Sequence, residues 1–202
     1  MRTLVVSYLP RESSSNTKRL LDAVISSFED VDHLELSSSL PPLFDAKKLQ
    51  AYYSQAYLGE FTDTSLLEPM YVLANQLLSA NNIILAYPVY YHMVPAVVKA
   101  WMECVCIKEL TWRFDLEKGY VGLLSNKNAL VLATSGNVYS SSETNNFHIP
   151  YVKSFFSFLG IDTKVVVAEG LNPSGVAISA LEEEKVFSQA ITQALSIVSD
   201  WK

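Results

Sequence analysis

Five short apolar runs recur along this chain, and each is followed by residues with helical spacing. They are TLVVSYL (3–9), HLELSS (33–38), NNIILAY (81–87), NALVLATSG (128–136) and TKVVVAEG (163–170). The first and fourth read as strands buried on both faces, and the third, with Ile83, Ile84 and Leu85 in succession, is the clearest strand. The second run alternates. Alternation of strand and helix along a chain points to a parallel sheet with helices on both faces, an α/β fold. The right-handed crossover rule then leaves few ways to wind such a sheet.

The helical segments support this reading. TKRLLDAVISSF (17–28) follows the hydroxyl-rich ESSSN, which supplies N-caps. Residues 65–80 carry Glu68 and Pro69 in their first turns, and 95–106 begin at a proline. Residues 149–161 close on Gly160, and the last helix starts near Ser179, with Phe187, Ile191, Ala194, Leu195, Val198 and Trp201 on one face. Residues 40–64 are a long connection with some helical character. The aromatic stretch 110–124, with a turn at 117–119, reads as a hairpin excursion. The 202 residues are half hydrophobic and lack internal repeats, so one domain over 1–202 is expected. A doubly wound, five-stranded parallel sheet in flavodoxin-like order is the leading topology.

Composition narrows the function. The net charge is −6 and no Lys/Arg cluster appears, which argues against nucleic acid and anionic membranes as partners. No run approaches about 18 apolar residues, so no membrane span is expected. MRTLVVSYLP lacks a small-residue cleavage site. Cys104 and Cys106 are two apart, without further ligands nearby, and read as free thiols rather than a metal site. Free thiols suit a reducing compartment, so a cytoplasmic protein is expected.

In a doubly wound sheet, ligands bind beyond the carboxyl ends of the strands at the switch point. Three strand ends offer chemistry there. The first carries Ser7, then Ser13, Ser14, Ser15 and Asn16 at a helix start, where free N–H groups and hydroxyls suit a phosphate. The third carries Val89, Tyr90, Tyr91 and His92, which can wall a flat ring. The fourth carries Thr134, Ser135, Gly136 and Asn137, with Gly136 expected to allow close backbone approach and Asn137 to tolerate left-handed geometry. Neither GxxxxGK[ST] nor GxGxxG is present, so a P-loop or a dinucleotide loop is disfavoured. A phosphate cradle, an aromatic wall and a permissive turn together suit a phosphorylated planar cofactor such as FMN.

Those segments carry a resemblance along nearly the whole chain. Pro88-Val89-Tyr90-Tyr91-His92, followed by Val98-Lys99, resembles the Pro-Met-Tyr-Asn-Phe and Leu-Lys motif of the FMN-dependent NAD(P)H:quinone reductases and azoreductases of bacteria. LTWRFDLEKGYVGLLSNK is similar to that family's Val-Thr-Phe-Arg-Tyr segment, and Thr134-Ser135-Gly136-Asn137 to its Ser-Arg-Gly-Gly turn. The resemblance implies a flavodoxin-like fold binding FMN: Ser7 and Ser13 to Ser15 at the phosphate, Val89 to His92 along the isoalloxazine, and Thr134 to Asn137 over its pyrimidine edge. Tyr91 stands where the family has Asn, His92 where it has Phe, and Ser135 where it has Arg.

The implied reaction is a ping-pong cycle: hydride passes from NADH or NADPH to FMN, then to a quinone or azo compound. The flavin carries the chemistry, so no catalytic side chain is assigned. His92 is expected to tune substrate choice. A homodimer is expected, with the aromatic stretch 112–120 and AYYSQAYLGEF (51–61) facing the partner. Two rivals share the fold. A flavodoxin-like electron carrier binds FMN without its own NAD(P)H reaction. An acyl-carrier-protein phosphodiesterase would need metal ligands that the sequence does not supply.

Overall fold

In the computed structural model of the chain, which describes residues 1–58, 64–139, 145–172 and 175–201, seven strands are seen among these residues. They are β1 (Thr3–Ser7), β2 (Val31–Glu35), β3 (Asn82–Pro88), β4 (Trp112–Asp115), β5 (Gly119–Gly122), β6 (Asn128–Thr134) and β7 (Thr163–Ala168). Five form one all-parallel sheet in the order β2-β1-β3-β6-β7, and β4 and β5 pair antiparallel as a hairpin. β3 is central and takes the least interrupted apolar run, as a strand covered on both faces requires. The strand order reverses direction between β1 and β3, which opens a crevice at their carboxyl ends.

Among the described residues, six α-helices flank the sheet: α1 (Asn16–Ile25), α2 (Ala46–Tyr53), α3 (Glu68–Ser79), α4 (Ala96–Val105), α5 (His148–Phe158) and α6 (Ala180–Ser199). Alternate strand residues serve opposite layers. Leu4, Val6, Leu85 and Val131 pack under α3, α4 and α5. Val5, Ile84, Leu130 and Leu132 pack under α1 and α6. Ser179 and Glu182 close a reciprocal capping box on α6, whose buried stripe is Phe187, Ala190, Ala194 and Val198. Leu195, assigned from its spacing to that stripe, sits at its rim, 36% exposed. Among the described residues, no helix is long and apolar enough to cross a membrane.

Several boundaries differ from the sequence expectation for local reasons. β2 ends at Glu35 because that carboxylate bends the chain back: it accepts the backbone N–H groups of Ser37 at 2.9 Å and Ser38 at 3.1 Å. β1 ends at Ser7 and β7 at Ala168, each short of its apolar run. The connection 40–64 holds α2 and a π-helical turn, Ser54–Leu58; its residues 59–63 lie outside the described ones. The hairpin excursion forms and seats on the end of α5. A Cβ on Gly122 would lie 2.1 Å from the backbone nitrogen of Gly160, so only glycine permits this approach. Gly160 itself, at φ 88°, ends α5 in the left-handed region.

Candidate functional site

A cleft of about 240 Å³ lies at the carboxyl ends of β1, β3 and β6. A larger open depression, about 620 Å³, sits at the start of β7 near Lys153, Asp162 and Lys164. That is the amino end of the strand, where a doubly wound sheet places no ligand, so the smaller cleft is the candidate site.

One wall is the loop from β1 into α1: Pro10, Arg11, Ser15, Asn16 and Thr17. Ser15 is the N-cap, its hydroxyl accepting the Lys18 N–H at 3.2 Å. The first backbone turn bond of α1 runs from Arg19 N–H to the Ser15 carbonyl. The N–H groups of Asn16 and Thr17 precede it and have no carbonyl within the helix to meet. They sit at the positive end of the helix dipole, beside a guanidinium. Arg11 donates Nη2 to the Ser14 carbonyl at 3.0 Å and, among the described residues, joins no ion pair. Thr17 Oγ1 meets Thr134 Oγ1 at 2.7 Å, tying this wall to the end of β6.

The opposite wall is Pro88, Val89 and Tyr90. Val89 N–H reaches the Thr134 carbonyl at 2.8 Å, which extends the β3–β6 pairing into the cleft. The chain then reverses. Tyr90 and Met93 exchange two backbone hydrogen bonds of 3.0 Å each, and the residues between them are left-handed, Tyr91 at φ 48° and His92 at φ 68°. Positive φ at both central positions is the type I′ hairpin turn, normally built from Asn and Gly. The Tyr90 ring leans edge-on against Tyr8. Burial pushes its hydroxyl up, Tyr8 adds to that, and Arg11 across the cleft opposes it.

The floor and far rim come from Thr134, Ser135, Gly136, Leu171 and Asn172. Two backbone bonds zip these loops: Leu171 N–H to the Ser135 carbonyl and Asn172 N–H to the Gly136 carbonyl. A Cβ on Gly136 would lie 3.2 Å from the Asn172 carbonyl oxygen. The close approach this glycine permits is therefore to the neighbouring loop. Neither Gly136 nor Asn137 has positive φ, so the left-handed geometry foreseen at Asn137 falls instead on Tyr91 and His92.

The structure brings Ser15, Val89, Tyr90, Thr134, Ser135 and Gly136 to the cleft. It places the others elsewhere. Ser7 is fully buried and its hydroxyl pairs with His33 Nε2 on β2 at 2.9 Å. Ser13 is exposed in the short 3-10 turn Glu12–Ser14, and Ser14 spends its hydroxyl on the Arg11 carbonyl. Tyr91 points into solvent, 95% exposed. His92 turns from the cleft, its ring edge-on to Tyr139 at 4.8 Å. Asn137 is exposed beyond the rim. Arg11, Thr17, Leu171 and Asn172 are cleft residues that sequence reasoning missed. Arg11 had a signal, a lone cation between a strand end and a run of serines. Asn172, past the fifth strand, had none.

An all-parallel sheet in this order, with a helix-start cleft at its β1/β3 switch point, defines a doubly wound mononucleotide-type protein. Comparison with known proteins agrees. The family model described as the flavodoxin-like fold matches residues 1–191. The FMN-dependent NADH:quinone oxidoreductase of Alcanivorax borkumensis is 30% identical over 179 residues, 85% of this chain and 89% of that one. The protein of the same name from Dechloromonas aromatica is 27% identical over 98% of this chain and 100% of its own. In fold, the chain superposes on an FMN-dependent NADH-azoreductase from Bacillus anthracis, crystallised in complex with FMN, with a TM-score of 0.85. That pair is 24% identical and covers 100% and 99% of the two chains. The chain belongs to the flavodoxin-like family, among the relatives of the FMN-dependent NADH:quinone oxidoreductases.

Proposed function

We propose that this chain, as one domain over 1–202, is an FMN-dependent oxidoreductase that passes hydride from NAD(P)H to quinones or azo compounds in a ping-pong cycle. The observation that carries the reading is the cleft itself. A helix start suited to an anion, with a guanidinium that joins no ion pair among the described residues, faces a strand-end wall of Val89 and Tyr90 across the switch point. The residues fit FMN. The Asn16 and Thr17 N–H groups and Arg11 would hold a phosphate, and no dinucleotide loop invites a larger cofactor. Bound FMN supplies the two-electron chemistry. The chain's own part is to bind and orient: the α1 start fixes one end, the wall at 88–90 sets the ring plane, and the 134–136 loop closes the edge.

The relatives' names support quinones and azo compounds as acceptors. Exposed aromatic groups support a homodimer. Tyr53 and Tyr57 stack at 5.1 Å on one surface, and Phe114 and Tyr120 stand more than half exposed on the hairpin. Burial pushes the Tyr57 hydroxyl up, and Tyr53 and Tyr120 beside it add to that. Residues 59–61 of the aromatic segment lie outside the described ones. The free thiols of Cys104 and Cys106, both pushed up by burial, fit a reducing cytoplasm.

Steady-state NADH and NADPH oxidation with menadione, with and without added FMN, tests the reading. FMN-dependent turnover is expected. FMN binding without NAD(P)H oxidation would leave an electron carrier instead. Light scattering tests the dimer, and a monomer of full activity would end that part.

A further inference from the structure

The turn at 90–93 is strained, because left-handed backbone at two non-glycine residues persists only where the surroundings over-determine it. Besides the Val89–Thr134 bond at its root, the turn is restrained by the start of α5 and by two aromatic rings. The His92 carbonyl accepts the N–H of His148, first residue of α5, at 3.1 Å. The His92 ring packs edge-on to Tyr139 and Phe147. His148 is in turn fixed from below. It is fully buried, and its Nδ1 lies 3.2 Å from the hydroxyl of Tyr87, also fully buried, on the last turn-side stretch of β3.

The tautomer of this pair follows from counting. His148 Nε2 is buried and has no hydrogen-bond partner among the described residues. If Tyr87 O–H donates to Nδ1, one polar group, the Nε2–H, is left unmet. If Nδ1–H donates to the tyrosine oxygen, two are left, the phenolic hydrogen and the bare Nε2. The first arrangement costs less, because each unmet buried group costs free energy. Tyr87 is therefore the donor. A directional bond fixes an angle that an apolar pair of equal volume would leave loose.

We infer that the buried Tyr87–His148 pair is a positioning element for the cleft: it fixes the first N–H of α5, which grips the His92 carbonyl and holds the 90–93 turn so that Val89 and Tyr90 face the cleft. The inference rests on the functional reading above where it concerns the flavin, and stands on geometry alone where it concerns the turn.

The experiment compares wild type with Tyr87→Phe, His148→Phe and His148→Asn. Tyr87→Phe removes only the hydroxyl, and His148→Asn keeps a polar atom near the Nδ1 position. In the flavin-free protein, amide hydrogen exchange at Met93 and His148 is expected to rise about tenfold in both Phe variants and to return toward wild type in His148→Asn. Affinities for FMN and riboflavin are expected to fall together, by about tenfold (about 1.4 kcal/mol), because the ring wall and not the phosphate end has moved. Unchanged exchange at both amides, or a lowered melting temperature with unaltered flavin affinity, would make the pair mere core packing and overturn the inference. If wild type took up no flavin at all, the functional reading would fall, and the exchange result would still support or overturn the anchoring by itself.

Discussion

The two walls of the cleft are built on opposite plans. The α1 wall is contiguous in sequence: Arg11, Ser15, Asn16 and Thr17 lie within one loop and helix start, with one left-handed residue, Glu12 at φ 48°, in the 3-10 turn, an N-cap at Ser15 and a single tie from Thr17 to Thr134. The β3 wall is strained and held from afar. Tyr91 and His92 sit in left-handed backbone that Thr134, Tyr139, Phe147 and His148 keep in place. A wall made of one local motif can be changed a residue at a time. A wall made by distant restraint fails as a unit.

The largest expected difference between them is in pH response. Burial lowers the His148 imidazole to about 4 from an ordinary 6.5, with Glu169 opposing. The unfolded chain takes up a proton near pH 6.5 that the folded chain refuses until about pH 4. Stability is thus fully present above pH 6.5 and falls as pH drops through that window, by on the order of 3 kcal/mol. Chemical denaturation across pH 4 to 7 measures this, and His148→Phe is expected to flatten the profile.

Next is Arg11→Gln, expected to weaken FMN about tenfold, or about 1.4 kcal/mol, while leaving riboflavin unchanged. Isothermal titration of both ligands checks it, and equal losses would move Arg11 away from the phosphate. Ser15→Ala is expected to cost about 1 kcal/mol of stability through the lost cap. Tyr91→Asn is expected to stabilise the protein by about half a kcal/mol, since asparagine tolerates left-handed backbone better than tyrosine. The smallest effect is Ser13→Ala. That side chain is exposed and off the cleft, so stability is expected to stay within about 0.5 kcal/mol, and urea melts of the three variants rank them.

The same contrast explains what was legible in the sequence. Period and burial announced β1, β3, β6 and β7, and the excursion at 110–124 announced its hairpin. The hydroxyl-rich ESSSN announced an N-cap for α1. Nothing local distinguishes Ser15 from Ser13 and Ser14, because which hydroxyl faces the cleft depends on the 3-10 turn that precedes α1. Ser7 looked available at a strand end, yet its hydroxyl is taken by His33 on a strand neighbouring in space and not in sequence. The cluster Tyr90, Tyr91 and His92 was rightly located at the end of β3. Its division into one cleft residue and two turned away follows from the I′ turn, which neither Tyr nor His advertises. His148 carried no signal, since its role depends on Tyr87 and on the carbonyl of His92.

The most direct measurement is a fluorescence titration of FMN with the purified chain, read alongside its melting temperature. The expected result is saturable binding at one FMN per chain, weaker binding of riboflavin and of FAD, and a raised melting temperature with FMN. Absence of both binding and stabilisation at saturating FMN would contradict the assignment of this cleft as a flavin mononucleotide site.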